Sequence, residues 1–172
     1  MQLVFDIETD GFLEDMTVCH VLVCQDVVTK KVYTYADQPG NLPIKHGLEL
    51  MSKADALIGH NIIGFDLMGL EKLYGWKPSS NTALIDTWIM SQTLKFTRSH
   101  KHGLGGWGSY LGYKKMDNTE WAADGFKTYD PHMIDYCIND VKLNTKVYEV
   151  LLAELHKAIE TNELIKTGLR IE

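Results

Sequence analysis

"LVFDIETDG", residues 3–11, sets two carboxylates, Asp6 and Glu8, one residue apart inside an otherwise apolar run. In an extended chain alternate side chains share a face, so Leu3, Phe5 and Ile7 point one way and Val4, Asp6 and Glu8 the other. The first set reads as core. The second sets two like charges a pleat apart, which costs free energy unless something positive lies between them. Taken alone, the pattern also suits the solvated outer face of an edge strand.

The chain around it has 172 residues, 45% hydrophobic and 23% charged, enough for one globular α/β domain with a full core. Residues 2–9 read as a strand. "TVCHVLVCQDVV" (17–28) and "KVYTYA" (31–36) read as a hairpin turning at Thr29-Lys30. A helix near 45–53, a short strand "ALIGH" (56–60), helices near 66–74 and from Ile85 to Leu94, and a long helix from Pro131 to beyond Leu155 follow. Three antiparallel strands first and helices interleaved later predict a mixed sheet flanked by helices.

Composition excludes several classes. No apolar run approaches the ~20 residues of a membrane helix, and the acidic N-terminus lacks signal-peptide features, so a cytoplasmic protein with no membrane partner is expected. A net charge of −6 argues against coating nucleic acid through bulk electrostatics, though not against an enzyme that meets phosphate through bound metal ions. Cys19, Cys24 and Cys137 form an odd set without C-x-x-C spacing and read as buried thiols; Cys19 and Cys24 are expected on opposite sides of one strand.

More acidic residues fall at element junctions and on helix faces. "GHNIIGFDLMGL" (59–70) leaves a strand and enters a helix with Asp66 at the junction, a position that also suits a helix cap. "MIDYCINDVKLN" (133–144) places Tyr136 and Asp140 four apart on one helix face, flanked by Cys137, Leu143 and Val147. Asp140 therefore turns toward protein, where a lone charge costs several kcal/mol, and Lys142 is not on that face. Tyr136 also suits a core tyrosine with a wet tip.

D-x-E on the first strand (Asp6, Glu8), N-x-x-x-F-D after a strand (Asn61, Phe65, Asp66) and Y-x-x-x-D on a late helix (Tyr136, Asp140) together resemble the three motifs of the DEDDy 3′-to-5′ exonucleases. "LIDTWIMSQ" (84–92) and "SHKHGLGGWGSYLG" (99–112) are similar to segments of the proofreading domain in phage family A DNA polymerases. The resemblance implies an α/β, RNase H-like fold and metal-dependent removal of nucleotides from the 3′ end of single-stranded or frayed DNA, with two Mg²⁺ or Mn²⁺ ions. It implies that Asp6 bridges both ions, Glu8 and Asp140 help hold the nucleophile-side ion, Asp66 serves the other partly through water, and Tyr136 positions the attacking water. By the same resemblance Asn61 and Phe65 line the terminal nucleotide, while Thr9 and Phe12 make backbone and wedge contacts beside the 3′ end. Asn61 reads equally as a turn residue and Phe12 as a core residue. The tail "TGLRIE" (167–172) resembles the passage into the polymerase part of such phage enzymes, so the chain is expected to be a single exonuclease domain with a polymerase domain or subunit as partner. An RNA-trimming relative of the ribonuclease D kind, and a catalytically silent module that binds nucleic acid or a partner, are the alternatives.

The chemistry explains the residue types. Phosphodiester hydrolysis needs an activated water, relief of charge on the phosphorus oxygens and a stabilised leaving alkoxide, all of which a pair of divalent ions supplies. Two carboxylates about 4 Å apart repel by about 4 kcal/mol at an effective dielectric near 20. Hard cations convert that penalty into a binding site.

Residues 95–115 carry three further patterns. "GLGGWG" (103–108) formally matches a dinucleotide fingerprint, yet it follows the polar "KFTRSHKH" and not a strand; Leu104, Trp107 and Leu111 instead predict a glycine-diluted helix. His100-x-His102 lacks nearby acidic or thiol partners and reads as a solvated loop. Lys95, Arg98, Lys101, Lys114 and Lys115 occur there without any Asp or Glu, interleaved with Trp107, Tyr110 and Tyr113. That suits single-stranded nucleic acid and, equally, a solvated basic face over core aromatics.

Overall fold

The strand that carries Asp6 and Glu8 is the centre of the sheet and not its edge. In the computed structural model, which describes residues 1–113, 116, 118 and 123–161, β1 (Gln2–Thr9) pairs antiparallel with β2 (Cys19–Asp26) and parallel with β4 (Ala56–Gly59). Lys114, Lys115 and the tail "TGLRIE" lie outside the described residues. β3 (Val32–Tyr35) adds antiparallel to β2, and β5 (Ala83–Asp86) adds parallel to β4, giving the order β3-β2-β1-β4-β5. This is the expected mixed sheet, antiparallel first and parallel afterwards. The solvated-edge reading of the D-x-E strand fails because β4 arrives from more than forty residues downstream, after the crossover that parallel pairing requires.

Both faces of β1 are therefore covered. Leu3, Phe5 and Ile7 join Leu22, Cys24 and Leu57 beneath α1 (Ile44–Met51) and α2 (Asp66–Tyr74). Val4 joins Val21, Val23 and Ile58 beneath the long helix α5 (His132–Glu160), whose Met133, Cys137 and Val141 fill that face. α3 (Thr87–Leu94) and α4 (Leu104–Leu111) extend this layer, with Trp107 of α4 buried against Leu143, Val147 and Leu151 of α5. Burying one such large apolar side chain is worth about 1.5–3 kcal/mol, so the sheet-to-α5 contact that carries the acidic face is held firmly. α1 approaches the sheet closely at Gly47, where a Cβ would stand 2.5 Å from Leu22 and 2.6 Å from Tyr35.

Two expectations are corrected. Ile85 does not begin a helix: Ala83–Asp86 is a strand, and the helix starts at Thr87 because Asp86 accepts hydrogen bonds from the Trp88 and Ile89 amides and caps it. A four-residue strand is too short to display its period. Cys19 and Cys24 lie in the same core cluster, not on opposite sides. Glu8 faces Val21 and Thr9 faces Cys19, so His20 is an extra residue; this β-bulge inverts the alternation at the start of β2. All three cysteines are free and buried. Among the described residues no helix is long and apolar enough to cross a membrane.

Candidate active site

The bulge falls where β1 ends, at Glu8 and Thr9. Bulges bend and over-twist a strand, which re-aims the side chains beside them. Asp6 and Glu8 both lie on the α5 side, as the alternation requires. One carboxylate oxygen from each and the Sγ of Cys137 all lie within 4.8 Å of one another. Glu8 is buried and Asp6 partly so. Cys137 donates its S–H to the Asp6 carbonyl oxygen at 3.4 Å and stands 3.7 Å from Asp6 Oδ2. Burial, and then the charges of Asp6, Glu8 and Asp140, push this thiol far above its ordinary range, so it stays protonated and acts as a donor.

α5 brings the other helical candidates to the same wall. Tyr136 precedes Cys137 and Asp140 follows it by three residues; Tyr136 is 9% exposed and Asp140 7%. The Asp140 charge is felt at Cys137 and at Tyr113. Asp140 and Asp66 stand outside the 4.8 Å group, which among the described residues contains Asp6, Glu8 and Cys137.

Asp66 reaches the site from the other side of β1. It is not the cap of α2: Phe65 holds that position, and Asp66 is the first helical residue. Its Oδ1 accepts the backbone N–H of Ile7 at 3.2 Å. β4 pairs with β1 only as far as Val4, so the carboxylate serves a β1 amide that no strand reaches. Burial pushes the Asp66 pKa up to about 7, against the two backbone hydrogen bonds that favour its charged form, and the Asp86 charge adds to the rise.

Asp86 was not singled out by its sequence, yet it organises this half of the site. Its Oδ1 accepts from Asn61 N (3.0 Å), Trp88 N (3.0 Å) and Ile89 N (3.3 Å), and its Oδ2 accepts from Ile63 N (3.2 Å). One buried carboxylate thus clamps the turn that leaves β4 onto the start of α3. The legible signal was Asp followed by Thr ahead of a helical run, an N-cap pattern. Thr87 continues the tie: its Oγ1 contacts His60 Nδ1 (2.9 Å), Gly59 O (3.1 Å) and Asn144 Oδ1 (2.7 Å), linking β4, α3 and α5.

A cleft of about 440 Å³ opens beside the acidic pair, lined by Glu8, Thr9, Phe12, Phe65 and, from the far wall, Phe126 and Lys127. Phe12 is 83% exposed, so the core reading of this residue is set aside. Thr9 donates its hydroxyl to Gly11 O at 2.9 Å, fixing the loop that carries Phe12. Asn61 does not line the cleft; it is exposed, adopts φ 65°, and its carbonyl accepts from Gly64 and Phe65. The far wall had no sequence signal: Phe126 O meets His20 Nε2 of the bulge at 2.9 Å, and its ring lies 6.1 Å from that of Tyr136. Another cleft, about 390 Å³ between α3 and α5, is lined by Ile63, Leu84, Ile89 and Leu152 and lies away from the acidic pair.

The donor set fits a divalent cation. Two carboxylates from one strand offer hard oxygens at chelating separation beside an open cleft, and the only sulfur in the group is held protonated.

The five-stranded mixed sheet with helices on both faces is an RNase H-like fold. No protein-family model and no curated protein matches the sequence. Among solved structures the chain is similar to Brucella melitensis NrnC with bound Mg²⁺ (21% identity, TM-score 0.67, covering 94% of this chain and 77% of that one). It is also similar to Escherichia coli RNase D, an exoribonuclease involved in structured RNA processing (17%, 0.63, 91% and 40%). A third is the family B DNA polymerase of the archaeon Pyrobaculum calidifontis (19%, 0.62, 87% and 24%).

Proposed function

We propose that the chain is a metal-dependent 3′-to-5′ exonuclease acting on single-stranded or frayed DNA ends. The observation that carries the reading is the pairing of Asp6 and Glu8 on the central strand, facing Tyr136 and Asp140 of α5 beside an aromatic-walled cleft. Asp6, Glu8, Asp66 and Asp140 are the residues that hold two Mg²⁺ or Mn²⁺ ions, which supply an activated water and neutralise charge on the phosphate when bound. The Ile7 amide fixes the Asp66 carboxylate, and the Cys137 thiol, bonded to the Asp6 backbone carbonyl, packs against the Asp6 carboxylate, so the ligands are set before cations arrive. Tyr136, nearly buried beside the Phe126 ring of the cleft wall, orients the attacking water through its hydroxyl. Phe12 and Phe65 grip the terminal base in the cleft, and Thr9 sets the loop between them.

Proofreading beside a polymerase domain or subunit is part of this reading, supported by the fold shared with an archaeal DNA polymerase and by the phage-type motifs. Buried free thiols suit a reducing cytoplasm. A second reading, an RNA 3′-end exonuclease, is favoured by the likeness to RNase D and to NrnC, which has been solved bound to pGG. The test is Mg²⁺-dependent release of mononucleotides from 5′-labelled single strands of DNA and RNA. A stepwise 3′ ladder on DNA, abolished in Asp6→Ala, is expected; a ladder on RNA alone selects the second reading, and no hydrolysis of either refutes both.

A further inference from the structure

The basic and aromatic segment from the end of α3 through α4 separates into two populations. Arg98 and Trp107 are structural: the guanidinium binds both Glu154 oxygens (3.0 and 2.6 Å), lies 4.7 Å from the Trp107 ring centroid, and Trp107 is fully buried. His102 is structural too, tied to Ser91 Oγ (2.8 Å) and Phe96 O (2.9 Å), so it is no solvated loop residue. What remains faces outward. Phe96 is 81% and Tyr110 57% exposed, and the His100 ring stacks on Tyr110 with centroids 4.4 Å apart and planes 28° apart. His100 also meets Trp107 edge-on at 4.4 Å, so the stack is braced from beneath by the core. Lys95 and Lys101 are exposed, with no ion pair among the described residues, and no acidic residue occurs between 95 and 115.

A rigid aromatic stack with flanking unpaired lysines, on a protein of net charge −6, is a local inversion of the overall electrostatics. It is also connected to the catalytic wall. Tyr110 stands three residues before Tyr113, which feels the Asp140 charge, while Arg98 holds α5 at Glu154, ~21 Å further along that helix. We propose that Phe96, His100, Tyr110, Lys95 and Lys101 form a second contact surface, which binds the body of the single DNA strand whose 3′ end enters the Asp6–Glu8 cleft. This rests on the exonuclease reading. Stacking accepts any base and the lysines meet phosphate, so the surface is independent of sequence.

The probe is a fluorescent oligothymidylate of about 12 nucleotides, measured by anisotropy in EDTA, where no cleavage occurs. Replacing Phe96 and Tyr110 together with Ala should weaken binding at least about 10-fold. Lys95→Gln with Lys101→Gln should flatten the plot of log affinity against log salt by about 1.4. All four side chains are exposed, so an unchanged melting temperature is expected and confirms the fold. In the Mg²⁺-dependent assay the aromatic variant should show raised KM on the long strand and unchanged kcat and KM on a dinucleotide, which is too short to reach the stack. Unchanged affinity in EDTA overturns the proposal, as does an equal loss on dinucleotide and long strand. If wild type cleaves nothing yet the anisotropy losses appear, the surface stands and the exonuclease reading falls.

Discussion

Replacing Asp86 with Ala removes the acceptor that four backbone amides share, at Asn61, Ile63, Trp88 and Ile89. Hydrogen bonds to a charged acceptor are each worth about 1.5–3 kcal/mol, and loss of a helix cap alone costs ~1 kcal/mol. The four are not additive, because water can reach the part-buried amides of Trp88 and Ile89 once the carboxylate is gone. Relief of repulsion on Asp66 returns a little more. The net expectation is a loss of about 3–5 kcal/mol. Asp86→Asn keeps an oxygen where three of the bonds converge and presents an NH₂ to Ile63, so it should lose only about 1–2 kcal/mol. Urea denaturation reads both: at a slope of roughly 2 kcal/mol/M the Ala midpoint falls by about 1.5–2.5 M with the slope unchanged. An Ala variant within about 1 kcal/mol of wild type would show that the clamp is not what holds the turn after β4, and the account of Asp66 placement would fall with it.

Mn²⁺ at about 100 times its Kd should stabilise the folded form by about 2.7 kcal/mol, or roughly 5–11 °C in Tm. Asp6→Asn should lose most of that rise, and an unchanged rise places the ions elsewhere. On a single-stranded oligonucleotide at saturating Mg²⁺, Asp6→Ala should fall to background, whereas Tyr136→Phe, which removes one positioned hydroxyl, should lose about 10²-fold to 10⁴-fold in kcat; wild-type turnover in Tyr136→Phe makes the tyrosine structural. Burial raises the Asp66 pKa from 3.8 to about 7, so the folded protein keeps a proton that the unfolded chain has released. That contribution is full below pH 3.8 and lost as pH rises to about 7, so in EDTA Asp66→Asn should flatten the fall in stability across this window, and an unaltered pH profile contradicts the assignment.

The residues legible in advance were those whose roles follow from periodicity within one element. Alternation alone put Leu3, Phe5 and Ile7 on one side of β1 and Val4, Asp6 and Glu8 on the other. Helical spacing alone put Tyr136 and Asp140 on one protein-facing side of α5, and read α4 through its three glycines. What escaped were features created by pairing between distant segments. The centrality of β1 depends on β4, the side taken by Cys19 depends on a bulge opposite Thr9, and β5 is a strand because Asp55 and β4 offer it hydrogen bonds. Asp86 and Phe126 belong to this group: each acts on a segment 23 or more residues away, and no local pattern announces a long-range acceptor.

The two halves of the site are consequently held by different forces. Asp6, Glu8, Tyr136 and Asp140 ride on a central strand and a helix joined by a continuous apolar core, so displacing them means opening the sheet-to-α5 contact. Asp66 is placed by polar contacts at the ends of elements: it accepts from Ile7, while the turn before it hangs on Asp86. Apolar packing is insensitive to charge, whereas a carboxylate on a backbone amide responds to every nearby charge. Cation binding should therefore act unevenly, leaving the β1–α5 wall as it is and tightening the Asp66 side, where a cation on Asp66 offsets the repulsion from Asp86. Amide hydrogen exchange compared with and without Mn²⁺ reads this directly: Ile7, Asn61 and Ile63 should gain protection, and the amides of α5 around Val141 should not. Uniform protection across both would mean that the site is one rigid unit and that Asp86 is only a helix cap.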